Sequence, residues 1–261
     1  MDDQARQMMR GLRLLVVDDN SVNRTLLAAL AANLGAECDT GQDGNDAISL
    51  ALDHAYDCII LDLHMPEVDG YTAARAIRQL SDAPPLIAFS ADRDAETEAA
   101  VREAGFVGML HKPLSEKRLA QVVSDAISGL EVADAGDPGD SPNPDAGPYD
   151  RAAAIEAAGG NTALAAELFE MLRSDLKEKR ESLGTLDGER VRQIELVHQV
   201  HGAASHCRAE PLRWAAGRLE CELRREDTGS ERESLLAHRH QEFLKCIDEI
   251  LALPNPFGGT N

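Results

Sequence analysis

The sequence has no long apolar segment. Its 261 residues are 43% hydrophobic, but no run approaches the roughly 18 to 20 apolar residues that a membrane helix needs. The first ten residues, MDDQARQMMR, also lack the basic end and apolar stretch that are typical of a signal peptide. We therefore expect a cytoplasmic protein without membrane insertion.

Basic residues are scarce, and paired-cysteine motifs are missing. The chain has 26 Lys and Arg against 46 Asp and Glu, for a formal net charge of −20. Proteins bind nucleic acids and anionic membranes through clustered Lys and Arg side chains. The net negative charge of this chain therefore disfavours direct nucleic-acid binding. The five cysteines form no C-x-x-C pair, and most lie in apolar periodic segments, which favours reduced, structural thiols.

One segment lacks large apolar side chains almost entirely. Residues 129–148, GLEVADAGDPGDSPNPDAGP, are rich in Pro, Gly, Asp and Ala and cannot bury enough surface to order themselves. This composition predicts a disordered linker between two domains. The predicted order is an N-terminal tail (1–11), a first domain (12–128), the linker (129–148), a second domain (149–253) and a C-terminal tail (254–261).

Before the linker, short apolar runs alternate with amphipathic helical stretches in a (βα)5 pattern. The runs LRLLVV, DCIILD and LIAFSA are continuous rather than alternating, which is typical of parallel strands covered on both faces. The first domain is therefore predicted to be an α/β doubly wound fold with a parallel five-stranded sheet.

After the linker the sequence shows helical signals and no strand signal. Asn161 is a candidate N-cap, and glycines at 159, 160 and 184 are candidate breaks. We predict an all-α helical bundle. Its predicted helices are Asp150–Ala158, Thr162–Leu183, Gly188–His206, Pro211–Arg225 and Ser230–Leu253.

Acidic and polar side chains end the predicted strands of the first domain. In a doubly wound sheet, ligands bind beyond the carboxyl ends of the strands at the switch point. Converging carboxylates favour a hard divalent cation such as Mg²⁺, and one carboxylate can then attack a phosphoryl donor. A lysine and a hydroxyl would stabilise the transferring oxygens. The residues at the strand ends are Asp18, Asp19, Asp62, Ser90 and Lys112.

At these positions the chain resembles the response-regulator receiver family. The resemblance covers Leu12 to Ser128 and is carried by VVDDN, DLHMPEVDG, Ser90 and the Lys112–Pro113 pair. Met109 stands where many receivers carry a Tyr or Phe that switches rotamer. This departure favours a receiver that passes phosphate onward over one that drives an output domain.

The resemblance also implies roles for the site residues. It implies that Asp62 is the phosphoacceptor and that Ser90 and Lys112 contact the phosphoryl group. Mg²⁺ would be bound by Asp62, by Asp19 directly, by Asp18 directly or through water, and by the backbone carbonyl of His64.

A second motif lies on the predicted helix that ends at His206. Helical spacing places the apolar residues on one face and His198 on the opposite, exposed side, with Gly202 beside it and His201 nearer the buried flank. A glycine inside a helix costs about 1 kcal/mol relative to alanine. We interpret Gly202 as a position that lets another domain approach His198.

The segment VHQVHGAAS resembles the histidine phosphotransfer (HPt) motif. By that resemblance His198 is the phosphoacceptor, His201 takes the position usually held by Lys, and Gly202 is the close-approach glycine. Arg208 stands where a further glycine is expected. Together the two domains resemble the C-terminal part of GacS/BarA-type hybrid sensor histidine kinases.

These resemblances imply a two-component phosphorelay intermediate. A sensor histidine kinase would phosphorylate Asp62, and His198 would pass the group to a downstream response regulator. The chain would be a phosphoryl carrier with self-catalysed transfer rather than an ATP-dependent kinase. Two alternatives stay open: a binding scaffold with a degenerate relay, or a detached C-terminal part of a hybrid kinase. A haloacid-dehalogenase-type phosphatase is disfavoured because one residue separates its two acids, as D-x-D, whereas Asp18 and Asp19 are consecutive.

Overall fold

The chain divides into two compact units, Met1–Ser141 and Pro142–Asn261. The computed structural model describes residues 3–91, 95–130, 147–184, 190–225 and 230–258. Most of the predicted linker, residues 131–146, lies outside the described residues. Within the described ranges, none of the helices combines the length and the hydropathy that a membrane span requires.

The first unit is built on a parallel sheet of five strands in the order β2-β1-β3-β4-β5. Every residue of β3 and β4 is buried, as expected for central strands covered by helices on both faces. The predicted doubly wound α/β fold is confirmed. The strands are β1 (Arg13–Val17), β2 (Glu37–Gly41), β3 (Cys58–Asp62), β4 (Leu86–Ser90) and β5 (Gly108–His111).

Side-chain caps mark where several helices of this unit begin. The side chains of Asn20, Asp43, Asp69 and Ser115 accept hydrogen bonds from backbone N–H groups of the turn that follows them, which satisfies donors that have no intrahelical partner. The helices are α1 (Asp3–Met9), α2 (Ser21–Asn33), α3 (Gly44–Asp53), α4 (Gly70–Ile77), α5 (Ala95–Ala104) and α6 (Glu116–Ile127).

Helix α1 occupies residues for which the sequence predicts only an N-terminal tail. Met9 is fully buried and Ala5 nearly so, and α1 packs against α6. The helix is too short to be stable by itself, so this packing of apolar side chains accounts for it. Helix α1 is therefore packed as part of the first unit.

The second unit consists of helices in its described residues, as predicted. Its aliphatic side chains on α8, α9, α10 and α11 form the interior, with Phe169 and Phe243 fully buried. Phe257, in the predicted C-terminal tail, packs near the rings of Tyr149 and Phe169. The helices are α7 (Arg151–Ala157), α8 (Thr162–Leu183), α9 (Arg190–His206), α10 (Glu210–Arg224) and α11 (Ser230–Ala252).

Candidate functional site

The predicted site residues of the first unit meet at the carboxyl edge of the sheet. Asp18 and Asp19 follow β1, Asp62 ends β3, Ser90 ends β4 and Lys112 follows β5. Carboxylate oxygens of the three aspartates lie within 4.8 Å of one another. The topology brings them together because parallel strands end at the same edge.

Lys112 joins two of these carboxylates. Its Nζ lies 3.0 Å from Oδ2 of Asp18 and 3.0 Å from Oδ2 of Asp62, and all three side chains are buried. Burial alone lowers the pKa of the Lys112 ammonium, but the two carboxylates outweigh burial and raise that pKa above its ordinary value. Lys112 is therefore a fixed positive charge beside Asp62.

Asp18 is the most enclosed acid of the site. Its Oδ1 accepts a hydrogen bond from the backbone N–H of Asn20 at 2.8 Å, and Nδ2 of Asn23 lies within 3.0 Å of both carboxylate oxygens. Burial raises the pKa of Asp18 to about 6, with Lys112 opposing the shift and Asp62 adding to it. Asp19 is partly exposed, whereas Asp18 and Asp62 are buried.

The donor set fits a hard divalent cation. Converging carboxylate oxygens are the ligands that Mg²⁺ prefers, and Lys112 supplies one positive charge against three acidic side chains. Of the other predicted participants, Ser90 is buried, and its carbonyl accepts the backbone N–H of Lys112 at 2.9 Å. The N–H of His64 lies 3.5 Å from Oδ1 of Asp62, which places the His64 backbone beside the Asp62 carboxylate.

The loop after Asp62 closes tightly on that residue. A Cβ at Gly70 would lie 2.1 Å from the backbone oxygen of Asp62, so only glycine fits without moving the loop. Asp69 then caps α4 by accepting from the N–H of Thr72. Met109, on β5, is buried in a hydrophobic cluster of the unit, at the position where the resemblance implies an aromatic side chain.

The predicted histidine site of the second unit differs from the expectation. His198 lies on α9 as predicted but is only 6% exposed, and Gly202 is also buried. The prediction that His198 and Gly202 lie on an exposed side of the helix was therefore wrong. The physical reason is the neighbouring helix, because α10 packs along this side of α9 and places Glu220 against His198.

Glu220 contacts both histidines of the motif. Its Oε1 lies 2.8 Å from Nδ1 of His198, and its Oε2 lies 3.2 Å from Nδ1 of His201. His201 is 18% exposed, more than His198, contrary to its predicted place nearer the buried flank. On α10, a Cβ at Gly217 would lie 3.3 Å from the His201 ring, so this glycine gives the ring its space.

The charge on Glu220 determines which atoms carry protons here. Burial alone raises the pKa of Glu220, but hydrogen bonds from His198 and His201, and from Arg224, outweigh it and hold that pKa well below its ordinary range. An ionised carboxylate only accepts hydrogen bonds. Nδ1 of each histidine is therefore the protonated donor, and Glu220 fixes the orientation of the His198 ring.

Two residues of these sites were missed from the sequence. Asn23 lies five residues after Asp18, in the first turn of α2. Its polar side chain so close to Asp18 in the sequence was a signal that it belongs to the acidic site. Glu220 is 22 residues from His198 on another helix, so only the packing of α9 against α10 reveals it.

Comparisons with known proteins found a family match within the first unit. Residues 14–124 match the response regulator receiver domain family. A crystal structure of the receiver domain of a Pseudomonas aeruginosa sensor histidine kinase, with magnesium ion coordinated in its active-site cleft, is 32% identical, covers 45% of this chain and 98% of that chain, and has a TM-score of 0.43.

Longer relatives align with most of the chain. The sensor histidine kinase GacS of Pseudomonas protegens is 32% identical over 229 residues, which cover 84% of this chain and 25% of GacS. The histidine-protein kinase BarA of Escherichia coli is 27% identical over 257 residues, which cover 92% of this chain and 26% of BarA. These alignments extend beyond residues 14–124, and the chain spans about a quarter of the length of these relatives.

Proposed function

Residues 14–124 of this chain belong to the response regulator receiver family, and from this premise we propose that the protein is a phosphorelay intermediate of a two-component system. The observation that carries the proposal is the buried Lys112 ammonium, 3.0 Å from a carboxylate oxygen of Asp62 at the edge of the sheet. The donor is a sensor histidine kinase, and the final acceptor is the receiver of a downstream response regulator.

In the first step, a carboxylate oxygen of Asp62 attacks the phosphorus of a phosphohistidine. The new O–P bond forms as the N–P bond breaks, and the imidazole of the donor leaves. Lys112 stabilises the negative charge on the transferring oxygens, and the Ser90 hydroxyl donates a hydrogen bond to them. Mg²⁺, held by Asp19, Asp62 and the His64 carbonyl, would supply further positive charge.

In the second step, Nε2 of His198 attacks the phosphorus of the acyl phosphate on Asp62. The N–P bond forms, the O–P bond breaks, and Asp62 leaves as a carboxylate. Glu220 supports this step because its hydrogen bond holds the proton on Nδ1 and leaves the lone pair on Nε2. The same carboxylate balances the positive charge that develops on the imidazole, and His201 shares its other oxygen.

The first step is tested by treating the full chain with acetyl phosphate and Mg²⁺ and assigning the phosphoryl group to each unit by peptide mass spectrometry. We expect the parent to gain one phosphoryl group, Asp62→Asn to gain none on its first unit, and Lys112→Ala to react roughly 100-fold more slowly. Asp53→Asn, an exposed aspartate at the end of α3, is the matched control. Undiminished labelling of the first unit in Asp62→Asn would overturn the assignment of the acceptor.

The burial of His198 favours a second candidate function, in which His198 and His201 have a structural role. In that case the second unit is a binding scaffold, and Glu220 only stabilises the pairing of α9 with α10. The scaffold candidate expects Asp62 to be labelled and His198 never to be. Peptide mapping of the labelled parent under mildly basic conditions, which preserve phosphohistidine, separates the two candidates.

A further inference from the structure

Arg224 binds the same carboxylate oxygen that holds the ring of His198. Its Nε and Nη2 lie 3.1 Å and 2.7 Å from Oε1 of Glu220, and Nδ1 of His198 lies 2.8 Å from that oxygen. A carboxylate offers about four lone-pair sites, two on each oxygen, so Arg224 and His198 compete for Oε1. Because His201 contacts the other oxygen at 3.2 Å, Glu220 divides its negative charge among three side chains.

The charged and titratable groups near His198 come from two helices among the described residues. Helix α10 brings Glu220 and Arg224, whereas His201 and the exposed Glu195 lie within one turn of His198 on α9 itself. Helix α8 also packs against α9, but every side chain that α8 buries is aliphatic or aromatic. The Arg224 side chain is 44% exposed and that of Glu220 is 6% exposed, so the guanidinium lies at the rim of the contact.

A histidine that attacks phosphorus must be neutral, with a lone pair on the attacking nitrogen. A carboxylate in contact with an imidazole favours the protonated ring, which has no such lone pair. A guanidinium on the same carboxylate acts in the opposite direction, because its permanent positive charge disfavours a second one nearby. Glu220 alone would therefore orient the His198 ring but would also favour its protonation at Nε2.

We propose that Arg224 is a positioning residue for phosphoryl transfer to His198, which acts through Glu220 to keep the imidazole neutral. Its charge offsets that of Glu220, so the carboxylate holds the proton on Nδ1 while Nε2 keeps its lone pair. As the N–P bond forms at Nε2, the O–P bond breaks, Asp62 leaves as a carboxylate, and the Nδ1 proton stays in place. This inference rests on the second step of the proposed function.

The test measures the rate of transfer to His198 as a function of pH. One donor chain, His198→Gln labelled on Asp62, is mixed with full-length acceptor chains that all carry Asp62→Asn. The acceptors have no further change, or one of Arg224→Met, Arg224→Lys and Arg218→Gln. Arg218 is the matched control, because it is an exposed arginine of the same helix that pairs with Glu242. Since the donor is common, the ratio of variant to parent rates reports the acceptor alone.

We expect loss of the positive charge in Arg224→Met to move the titration of His198 upward by about half to one pH unit. The Arg224→Met acceptor should then be roughly 3-fold to 10-fold slower than the parent acceptor near pH 6, and should approach the parent rate above about pH 8.5. Arg224→Lys keeps the charge, and Arg218→Gln leaves Glu220 untouched, so both should follow the parent. The Glu220–Arg224 ion pair also stabilises α10, but a purely structural role would give one ratio at every pH and overturn this inference.

Ring ¹⁵N spectra give a second readout that needs no transfer. The His198 signals are assigned by their absence in His198→Gln, and their titration midpoint is expected to be higher in Arg224→Met by the same half to one unit, roughly. An unmoved midpoint in a variant that circular dichroism shows to be folded would overturn this inference and leave the relay standing. A parent acceptor that gains no label on His198 would overturn the second step of the relay, and this inference with it.

Discussion

Arg208 and Glu67 hold backbone conformations that favour glycine. Among the described residues other than glycine, these two have positive φ angles, 56° for Arg208 and 62° for Glu67. Arg208 follows the end of α9, where a left-handed residue closes many helices and glycine is the usual choice. The structure thus accounts for the glycine expected there in the HPt motif, and it shows that arginine occupies the same turn, with its guanidinium 3.7 Å from Glu210.

The strain at Arg208 leads to the first prediction. Arg208→Gly and Arg208→Ala both remove the guanidinium, but only glycine adopts the left-handed conformation without a steric cost of about 1 kcal/mol. We expect the glycine variant to have a free energy of unfolding about 1 kcal/mol higher than the alanine variant. Urea titration measures the difference, and equal stability would show that the turn carries no strain.

Asp18 leads to a prediction about pH. Its pKa is about 6 in the folded chain against an ordinary value of 3.8, so between these values the folded state binds more protons than the unfolded state. The contribution of Asp18 to the free energy of unfolding is therefore lost as pH rises from 3.8 to about 6. Asp18→Asn removes the effect.

We accordingly expect Asp18→Asn to raise the melting temperature more at about pH 7.5 than at about pH 4, without divalent cations. Asp53→Asn, a change of an exposed aspartate at the end of α3, is the control. The same change of melting temperature at both pH values would contradict the assigned cause, the burial of Asp18.

At the scale of elements, α9 and α10 meet through paired positions. His198 faces Glu220 and His201 faces Gly217, so the pairs run in opposite order along the two helices, as in an antiparallel contact. Gly217 gives room to the His201 ring, and Glu220 supplies the acceptor that both rings need. Gly217 and Glu220 thus lie about one turn apart on α10 and together form its contact with the two histidines.

This contact predicts a loss of stability in Glu220→Ala. Removing the carboxylate leaves buried imidazole donors without an acceptor, which costs about 1–3 kcal/mol of unfolding free energy. The pKa of Glu220 is lowered from its ordinary 4.5, so its contribution is present above that value and is lost as pH falls toward the folded pKa. Denaturant titration at neutral and acidic pH checks both statements, with the exposed Glu195→Ala as control. Equal stability of the two variants would contradict the account.

The sequence predicted the elements better than their contacts. Continuous apolar runs such as CIILD predicted the buried strands, and placing Asp62 at the end of such a run predicted the acidic edge of the sheet. Helix α1 was missed because its short amphipathic pattern becomes stable only against α6. The burial of His198 was missed because helical spacing describes one helix, whereas exposure depends on which helix packs beside it.

The whole chain joins a receiver domain to a second, helical unit in one polypeptide. GacS and BarA align with most of this chain over a quarter of their own length, so the alignments reach into both units. The domain bounds, the linker and the roles of Asp62 and His198 remain predictions. The relay is the central claim, and it requires the phosphoryl group to move from one unit to the other.

The direct test is transfer between two complementary full-length variants. A donor chain carrying His198→Gln is labelled on Asp62 with radioactive acetyl phosphate, freed of reagent, and mixed with an acceptor chain carrying Asp62→Asn. We expect base-stable label to appear on His198 of the acceptor as base-labile label leaves the donor, and to be absent when the acceptor also carries His198→Gln. Loss of label from the donor to water alone, with none on His198, would contradict the relay.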